Sequence, residues 1–457
     1  MNNFYKVQLL PCEVERNDKS PIIIISRNLM EQTNTTELQK VALRSGKCLI
    51  DCNIDVHSAS QEAQTIYCSK VLYEKLFLPE SPINIYLKVN SEDAIWEFGP
   101  YIGIVTDQIK NNHFGTIDKF IYELQRYARE KSSFLYVFHY QNYHNDYVDG
   151  YWYNGASSGW YPHKLPVPHV IHNRIHSRIT ERSSATSLFF KQLEKVNIPY
   201  FNERFLNKWE VFELLCEYDY LLPYLPHTKL LNGRATIEEM LKDYETVFIK
   251  PVHGSQGKNI FKINQLEAGF NLDYTTFSGE IERYYPTIMQ LYDVIRPKFK
   301  EQRYIIQQGL KLLSWQDRPL DFRLLCHQKY ENEWVISSQV ARVSSKNEFV
   351  SNISRGGELF TINHVLFEHF EQKTAIHLKK LLAEIAIEVA FAIHQHTDGI
   401  YGELGIDLAL DEDGKPWIIE VNTKPSKNHD LGLKTLQVRP SAKAIINFCH
   451  NLTAWNF

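Results

Sequence analysis

Two apolar runs, Gly402-Glu-Leu-Gly-Ile-Asp407 and Trp417-Ile-Ile-Glu420-Val-Asn422, flank the turn segment Asp411-Glu-Asp-Gly-Lys-Pro416. Short apolar runs on either side of an Asp-Gly pair predict a β-hairpin. Strand side chains alternate between faces, so Glu420 and Asn422 share one, and pairing through Asp413-Gly414 brings Asp407 onto it. Ile418, Ile419 and Val421 surround the acids with apolar side chains, and carboxylates are rarely buried unless paired or metal-bound. Three oxygen ligands on adjacent strands suit Mg²⁺, which takes a few protein oxygens and completes its octahedron with phosphate and water. The competing reading is the solvated face of an edge hairpin, and this segment alone leaves both open.

A chain of 457 residues exceeds one ordinary core, and its length predicts about three domains. The chain is 44% hydrophobic and 23% charged, with 13% aromatics dominated by Tyr and Phe, which favours packed α/β or β structure over disorder. A net charge of −4 gives no sign of a nucleic-acid or membrane-surface binder. No apolar run approaches the roughly 20 residues of a membrane span. Met1-Asn-Asn-Phe-Tyr-Lys lacks the basic-then-apolar pattern of a signal peptide, so the expected location is cytoplasmic. Seven cysteines argue against a disulfide scaffold. Cys12, Cys48, Cys52 and Cys68 cluster early but contain no CxxC pair, which favours structural thiols over zinc.

Residues 1–97 carry short β-rich runs (Pro21–Ser26, Cys48–Ile54, Ile83–Val89) and predict a small β-rich domain. From Gly99 a buried strand leads into an amphipathic helix bearing Phe120, Leu124, Tyr127 and Ala128, then into a second strand at Phe134–His139. Strand, helix, strand is a βαβ unit and implies a parallel sheet, which the run Pro168–His172 also fits. This gives a Rossmann-like domain over 98–183. From 184 helices dominate at first, and Thr236-Ile-Glu-Glu239 predicts a capping box. Strands follow at Glu245–Lys250, Tyr304–Gln308, Phe322–His327 and Trp334–Val340, and the longest helix is expected at Thr374–His394. The third domain spans 184–457, with a subdomain at about 225–310.

Lys250 ends a strand and precedes Gly254-Ser255-Gln256-Gly257. Glycines let backbone N–H groups approach a phosphate, and a lysine supplies a point charge. The loop is neither a Walker A nor a GxGxxG motif, and an ordinary hairpin turn is the plainer reading. Its company is Lys208 at a helix start and the acidic hairpin downstream. Asp321, Arg323, Arg342 and Asn352 with Gly356-Gly357 form a third group, each member of which reads singly as a surface ion pair or loop residue. Together they supply cations for a transferring phosphoryl group. His169, His172 and His176 lie in a strand-and-loop context without an acidic partner, which disfavours zinc. Arg174 and Arg178 are better read as anion-binding residues or interdomain salt-bridge partners, and with Asn173 they suggest an anionic substrate. No GxSxG-type nucleophile pattern occurs.

In this order the pieces resemble the ATP-grasp superfamily, and most closely its YheC/YheD family, described as endospore coat-associated. The likeness covers Gly99 to the C-terminus. It rests on Gly99-Pro-Tyr-Ile-Gly-Ile, His172-Asn-Arg174-Ile, Phe201-Asn202, Asn207-Lys208-Trp209-Glu210 and Leu225-Pro-His-Thr228. It continues through Ile249-Lys250-Pro251 with Gly254–Gly257, Asp321-Phe-Arg323, Asn352-Ile-Ser-Arg-Gly-Gly357, Gly405-Ile-Asp407 and Glu420-Val-Asn422-Thr-Lys-Pro425.

The resemblance implies an α/β (α+β) chain with an ATP-grasp fold behind a Rossmann-like βαβ domain and the small β-rich domain. It implies ATP phosphates on Lys208 and Lys250 under the Gly254, Ser255, Gln256, Gly257 loop, and adenine near Gln307, Gln308 and Leu310. Many relatives have a ribose-binding acid at that hinge, where this chain has glutamines. Asp321 joins the nucleotide-site residues. Asp407, Glu420 and Asn422 match Mg²⁺ ligands, with two ions implied, and Arg323, Arg342 and Asn352 match positions near the γ-phosphate and acceptor. Such enzymes join a carboxylate to an amine through an acyl phosphate and release ADP. A small-molecule kinase and a non-catalytic nucleotide-binding spore-coat protein are the alternatives. The partners implied are ATP, carboxylate and amine substrates, and other spore-coat or biosynthetic proteins.

Overall fold

The computed structural model describes residues 2–13, 20–35, 39–57, 64–90, 95–254, 259–276, 279–300, 302–330, 332–345, 357–427, 437–453 and 455. Contacts divide the chain into two compact units, Met1–Glu203 with Leu436–Phe457, and Arg204–Thr435.

In the first unit, seven strands between Asn2 and Gly99 close a barrel among the described residues. Period-2 alternation fills it: Ile23 and Ile25, Val41 and Leu43, Ile85 and Leu87, and Trp96 and Phe98 are all buried. A six-stranded sheet follows. Its strand Tyr101–Val105 pairs in parallel with Phe134–Tyr143 on one side and Val170–Asn173 on the other. Helix Asp118–Glu130 makes the crossover and buries Phe120, Ile121, Leu124 and Ala128. Strands Tyr147–Asn154 and Gly159–Pro166 extend the sheet antiparallel, beyond what the βαβ pattern predicts. Helix Pro440–Leu452 belongs to this unit and packs on Asp118–Glu130.

The second unit holds two sheets. One has the order Thr228–Leu230, Tyr304–Gln308, Thr246–Pro251, Phe261–Leu266, Gly269–Thr276, Gly279–Tyr285, antiparallel throughout. Helices Arg234–Asp243 and Ile288–Phe299 close its core through Ile237, Met240, Leu291 and Ile295. The other has the order Glu358–Thr361, Glu333–Val343, Arg318–Tyr330, Glu403–Leu410, Pro416–Asn422. Its two faces are segregated by the pleat. Phe322, Leu324 and Cys326, with Leu404, Ile406 and Leu408, join the buried apolar cluster of the long helix Gln372–His396. Arg323 and His327, with Glu403 and Asp407, occupy the opposite face.

The expected capping box at Thr236 is not formed. Helix Arg234–Asp243 begins two residues earlier behind Gly233, and the Thr236 hydroxyl accepts from the Asn232 N–H at 3.3 Å. The left-handed φ of Gly233 (132°) sets the chain entry ahead of the Thr-x-x-Glu spacing. A capping box does occur at Asn207 and Glu210, which start helix Lys208–Cys216.

The apolar face fixes the polar one, because each buried side chain of Glu403–Leu410 sets the orientation of its neighbours. Ile406→Ala leaves a void beneath Asp407 and should cost about 2–5 kcal/mol, read as a lowered urea midpoint of the second unit.

Candidate functional site

The hairpin forms with Asp407 opposite Glu420 and Gly405 opposite Asn422. Its turn is held by Asp411, whose Oδ1 accepts from the backbone N–H of Asp413 (3.1 Å) and Lys415 (2.8 Å), while Gly414 takes φ 81°. A bulge between Asp407 and Leu408 adds a residue on the partner strand, so Ile418 and Glu420 meet consecutive residues.

Asp407 is only 3% exposed, and two arginines meet it. Arg323, its partner across strands, approaches with both Nε and Nη2, the latter at 2.7 Å. Arg342 reaches Asp407 Oδ2 at 2.9 Å and grips Asp321, its own cross-strand partner, with Nε at 2.5 Å and Nη2 at 2.7 Å. Burial opposes the charge on Asp407, but Arg323 and Arg342 outweigh it and hold the pKa below the usual carboxylate range. Arg342 is likewise penalised by burial, and Asp321 and Asp407 push its pKa up. Asn422 Nδ2 donates to Asp407 Oδ2 at 3.3 Å.

Lys208 opens its helix and reaches Glu420 Oε1 at 2.5 Å and the Gly254 carbonyl at 3.3 Å. Its placement is set by the capping box and by Arg204, which binds Glu210 through two bonds of 3.0 and 2.5 Å. Lys250 donates to Gln307 Oε1 at 2.6 Å, and Gln307 Nε2 donates to Thr228 Oγ1 at 3.0 Å. Desolvation, with the nearby charge of Lys208, lowers the Lys250 pKa to about 8 against an opposing pull from Glu420. Gln308 Oε1 is occupied by the His227 N–H at 2.8 Å, and Leu310 follows half-buried.

Lys208, Lys250, Gly254, Gln307, Gln308, Leu310, Asp321, Arg323, Arg342, Asp407, Glu420 and Asn422 thus all lie in the second unit. Ser255, Gln256, Gly257 and Asn352 fall outside the described residues. Asn173, Arg174 and Arg178 lie in the first unit, at the carboxyl end of Val170–Asn173. There Asn173 Oδ1 accepts from the Ile175 N–H at 3.0 Å and Nδ2 donates to the Glu203 carbonyl at 2.8 Å. Arg174 is 1% exposed, and burial lowers its pKa to about 10. Arg178 begins the short helix Arg178–Glu181. His169 serves the Tyr101 N–H and Glu97, while His172 stacks on Phe201 at 4.5 Å.

Sequence reasoning missed Thr228 as the anchor of Gln307, and Arg204 and Glu210 as the support of Lys208. The spacing Asn207-x-x-Glu210 was a readable signal for the latter pair.

The family model of the YheC/D-like ATP-grasp matches residues 197–452. The chain belongs to the YheC/D-like ATP-grasp family. Its fold is accordingly an ATP-grasp fold, preceded in the chain by a small β-rich domain and a Rossmann-like sheet. It is 27% identical over 373 residues to the endospore coat-associated protein YheD of Bacillus subtilis, covering 80% of each chain. It is 23% identical over 309 residues to YheC of the same organism, covering 65% of this chain and 80% of YheC. Among solved structures it is similar to D-alanyl-alanine synthetase A of Vibrio cholerae at 15% identity and a TM-score of 0.45, covering 77% of this chain and 94% of the other.

Arg342→Ala leaves Asp321 and Asp407 buried with one guanidinium between them, and should cost about 3–5 kcal/mol at neutral pH. In the wild type Asp407, with its folded pKa depressed, contributes stability above the ordinary carboxylate pKa and loses it as pH falls through the folded value. Without Arg342 the carboxyls shift upward, so the deficit should shrink as pH falls toward about 4. Urea titrations of both proteins at pH 8 and pH 4.5 check this.

Proposed function

We propose that this chain is an ATP-dependent ligase that joins a carboxylic acid to an amine. The observation that carries the reading is the charge balance of one site: Lys208, Lys250, Arg323 and Arg342 stand against Asp321, Asp407 and Glu420. One positive charge is left over, and the cations lie on strands or at a helix start where a polyphosphate displaces their present partners. Lys208 and Lys250 then hold ATP phosphates, with the loop from Gly254 covering them. Gln307 keeps Lys250 aimed, and the chain from Gln308 to Leu310 meets the base.

Asp407, Glu420 and Asn422 present only hard oxygen donors from two adjacent strands, a set that fits Mg²⁺. Two ions, when bound, would offset the charge of the phosphates. The chemistry needs no protein nucleophile. A substrate carboxylate oxygen attacks the γ-phosphorus, the bond to the β-phosphate oxygen breaks, and ADP leaves an acyl phosphate. The amine nitrogen adds to the acyl carbon, and the tetrahedral intermediate expels phosphate as the nitrogen loses its proton. Arg323 and Arg342, with Asn352, steady the charge that develops on the phosphoryl oxygens. Asn173, Arg174 and Arg178 are assigned to an anionic substrate. The names of YheD and YheC support a spore-coat association, with coat or biosynthetic proteins as partners.

Incubation with ATP, Mg²⁺ and a metabolite extract, followed by mass spectrometry, should show ADP and a new amide whose formation needs both an acid and an amine. A phosphorylated hydroxyl would make the chain a kinase, and the absence of ADP and of any product would count against an enzyme.

Lys250 gives a second check. Its folded pKa of about 8 lies below that of a free lysine, so near pH 8 to 9 part of the population is neutral. Phosphate favours the cation, so nucleotide binding should take up a fraction of a proton there, and Lys250→Arg should abolish the uptake. Calorimetric titrations with ADP in two buffers of different ionisation enthalpy measure it.

A further inference from the structure

Beyond Asn422 the chain runs on over the face of the sheet that carries Asp407, from Gly405 towards Glu403. The Thr423 hydroxyl donates to the Arg204 carbonyl at 2.9 Å, and Lys424 sits over the Phe205 ring at 4.9 Å. Pro425 lies on Gly405, where an added Cβ would come within 2.9 Å of the Pro425 Cβ. Lys427, 4% exposed, ends this strap in an ion pair with Glu403.

Glu403 and His327 are fully buried cross-strand partners. They repeat the Asp407–Arg323 pairing four residues along the same two strands, with Gly405 and Leu325 between, a separation of about 13 Å. The polar chain is continuous: Ser337 Oγ meets His327 Nδ1 at 2.9 Å, His327 Nε2 meets Glu403 Oε1 at 3.0 Å, and Lys427 completes it. The nucleotide chemistry uses none of these four groups. A buried ion pair is a weak source of net stability, because desolvation offsets its attraction. What it does fix is geometry, since the buried Lys427 ammonium is held on the buried Glu403 carboxylate. The strap is therefore held at both ends, by Asn422 on Asp407 and by Lys427 on Glu403, with Gly405 providing the room for it to lie flat.

We propose that Lys427, Glu403 and His327 are positioning residues for the metal-binding end of the site: they clamp the strap and through it fix Asn422 relative to Asp407 and Glu420. This inference rests on the nucleotide and metal reading given above. Groups that orient metal ligands typically change metal affinity by about 10–100-fold when removed.

The test is Mn²⁺ binding by electron paramagnetic resonance in the presence of saturating ADP, on the full chain, with thermal melting recorded separately. Lys427→Met should weaken Mn²⁺ binding about tenfold or more while ADP affinity in chelator stays at the wild-type value, and Lys427→Arg should recover most of the loss. Glu403→Gln, which keeps a hydrogen-bonding partner for His327, should lower Mn²⁺ affinity in the same direction and serves where Lys427→Met fails to fold. Unchanged Mn²⁺ affinity in the folded variants, with only the melting temperature lowered, would overturn the proposal. A wild-type chain that binds no Mn²⁺ with ADP would instead remove the metal reading on which the proposal stands.

Discussion

The Asp407 carboxylate, shared between Arg323 and Arg342, is the interaction on which the second unit's polar face depends. A charge this deep is tolerated only when paired and hydrogen-bonded. Arg342 answers two carboxylates at once, so the strands Glu333–Val343, Arg318–Tyr330 and Glu403–Leu410 are tied in register by charge on one face. The apolar cluster under helix Gln372–His396 ties them on the other. A slip of one residue would bury the arginines in that cluster, which is why register here is strongly specified.

The same arrangement explains how so many charges coexist on one face. Glu420 is matched by Lys208, Asp321 by Arg342, and Asp407 by both arginines, while Lys250 is met by the neutral Gln307 and has its pKa lowered by burial. On the proposed reading, polyphosphate with its metal ions would exchange these partners together, anion for carboxylate and metal for cation. Preorganised cations of this sort need little rearrangement when phosphoryl charge develops.

Much of this was legible in the sequence, for reasons particular to each segment. The hairpin was readable because Asp413-Gly414 punctuates two alternating apolar runs, and alternation assigns Glu420 and Asn422 to one face. The long helix, expected at Thr374–His394 from its 3-and-4 apolar spacing, was readable and runs Gln372–His396. The partners of the charges were not. Nothing local says that Arg323 serves Asp407 while Arg342 serves Asp321 and Asp407, because pairing across strands depends on register between segments far apart in the chain. Glu403 and His327 escaped notice for the same reason, although each lies four residues from a recognised site residue on the same face. The partners of Asn173 were illegible as well: its bond to the Glu203 carbonyl spans thirty residues, and no local pattern announces it.

Asp407, Glu420 and Asn422 are proposed as the metal-bearing end of a nucleotide site. Crystals grown with ADP and Mn²⁺, measured at a wavelength where manganese scatters anomalously, test it directly. An anomalous peak is expected at coordination distance from oxygens of all three side chains and of the bound phosphates, with Lys208 moved from Glu420 onto phosphate. Manganese found elsewhere, or ADP bound with Lys208 still on Glu420 and no metal beside Asp407, would contradict it.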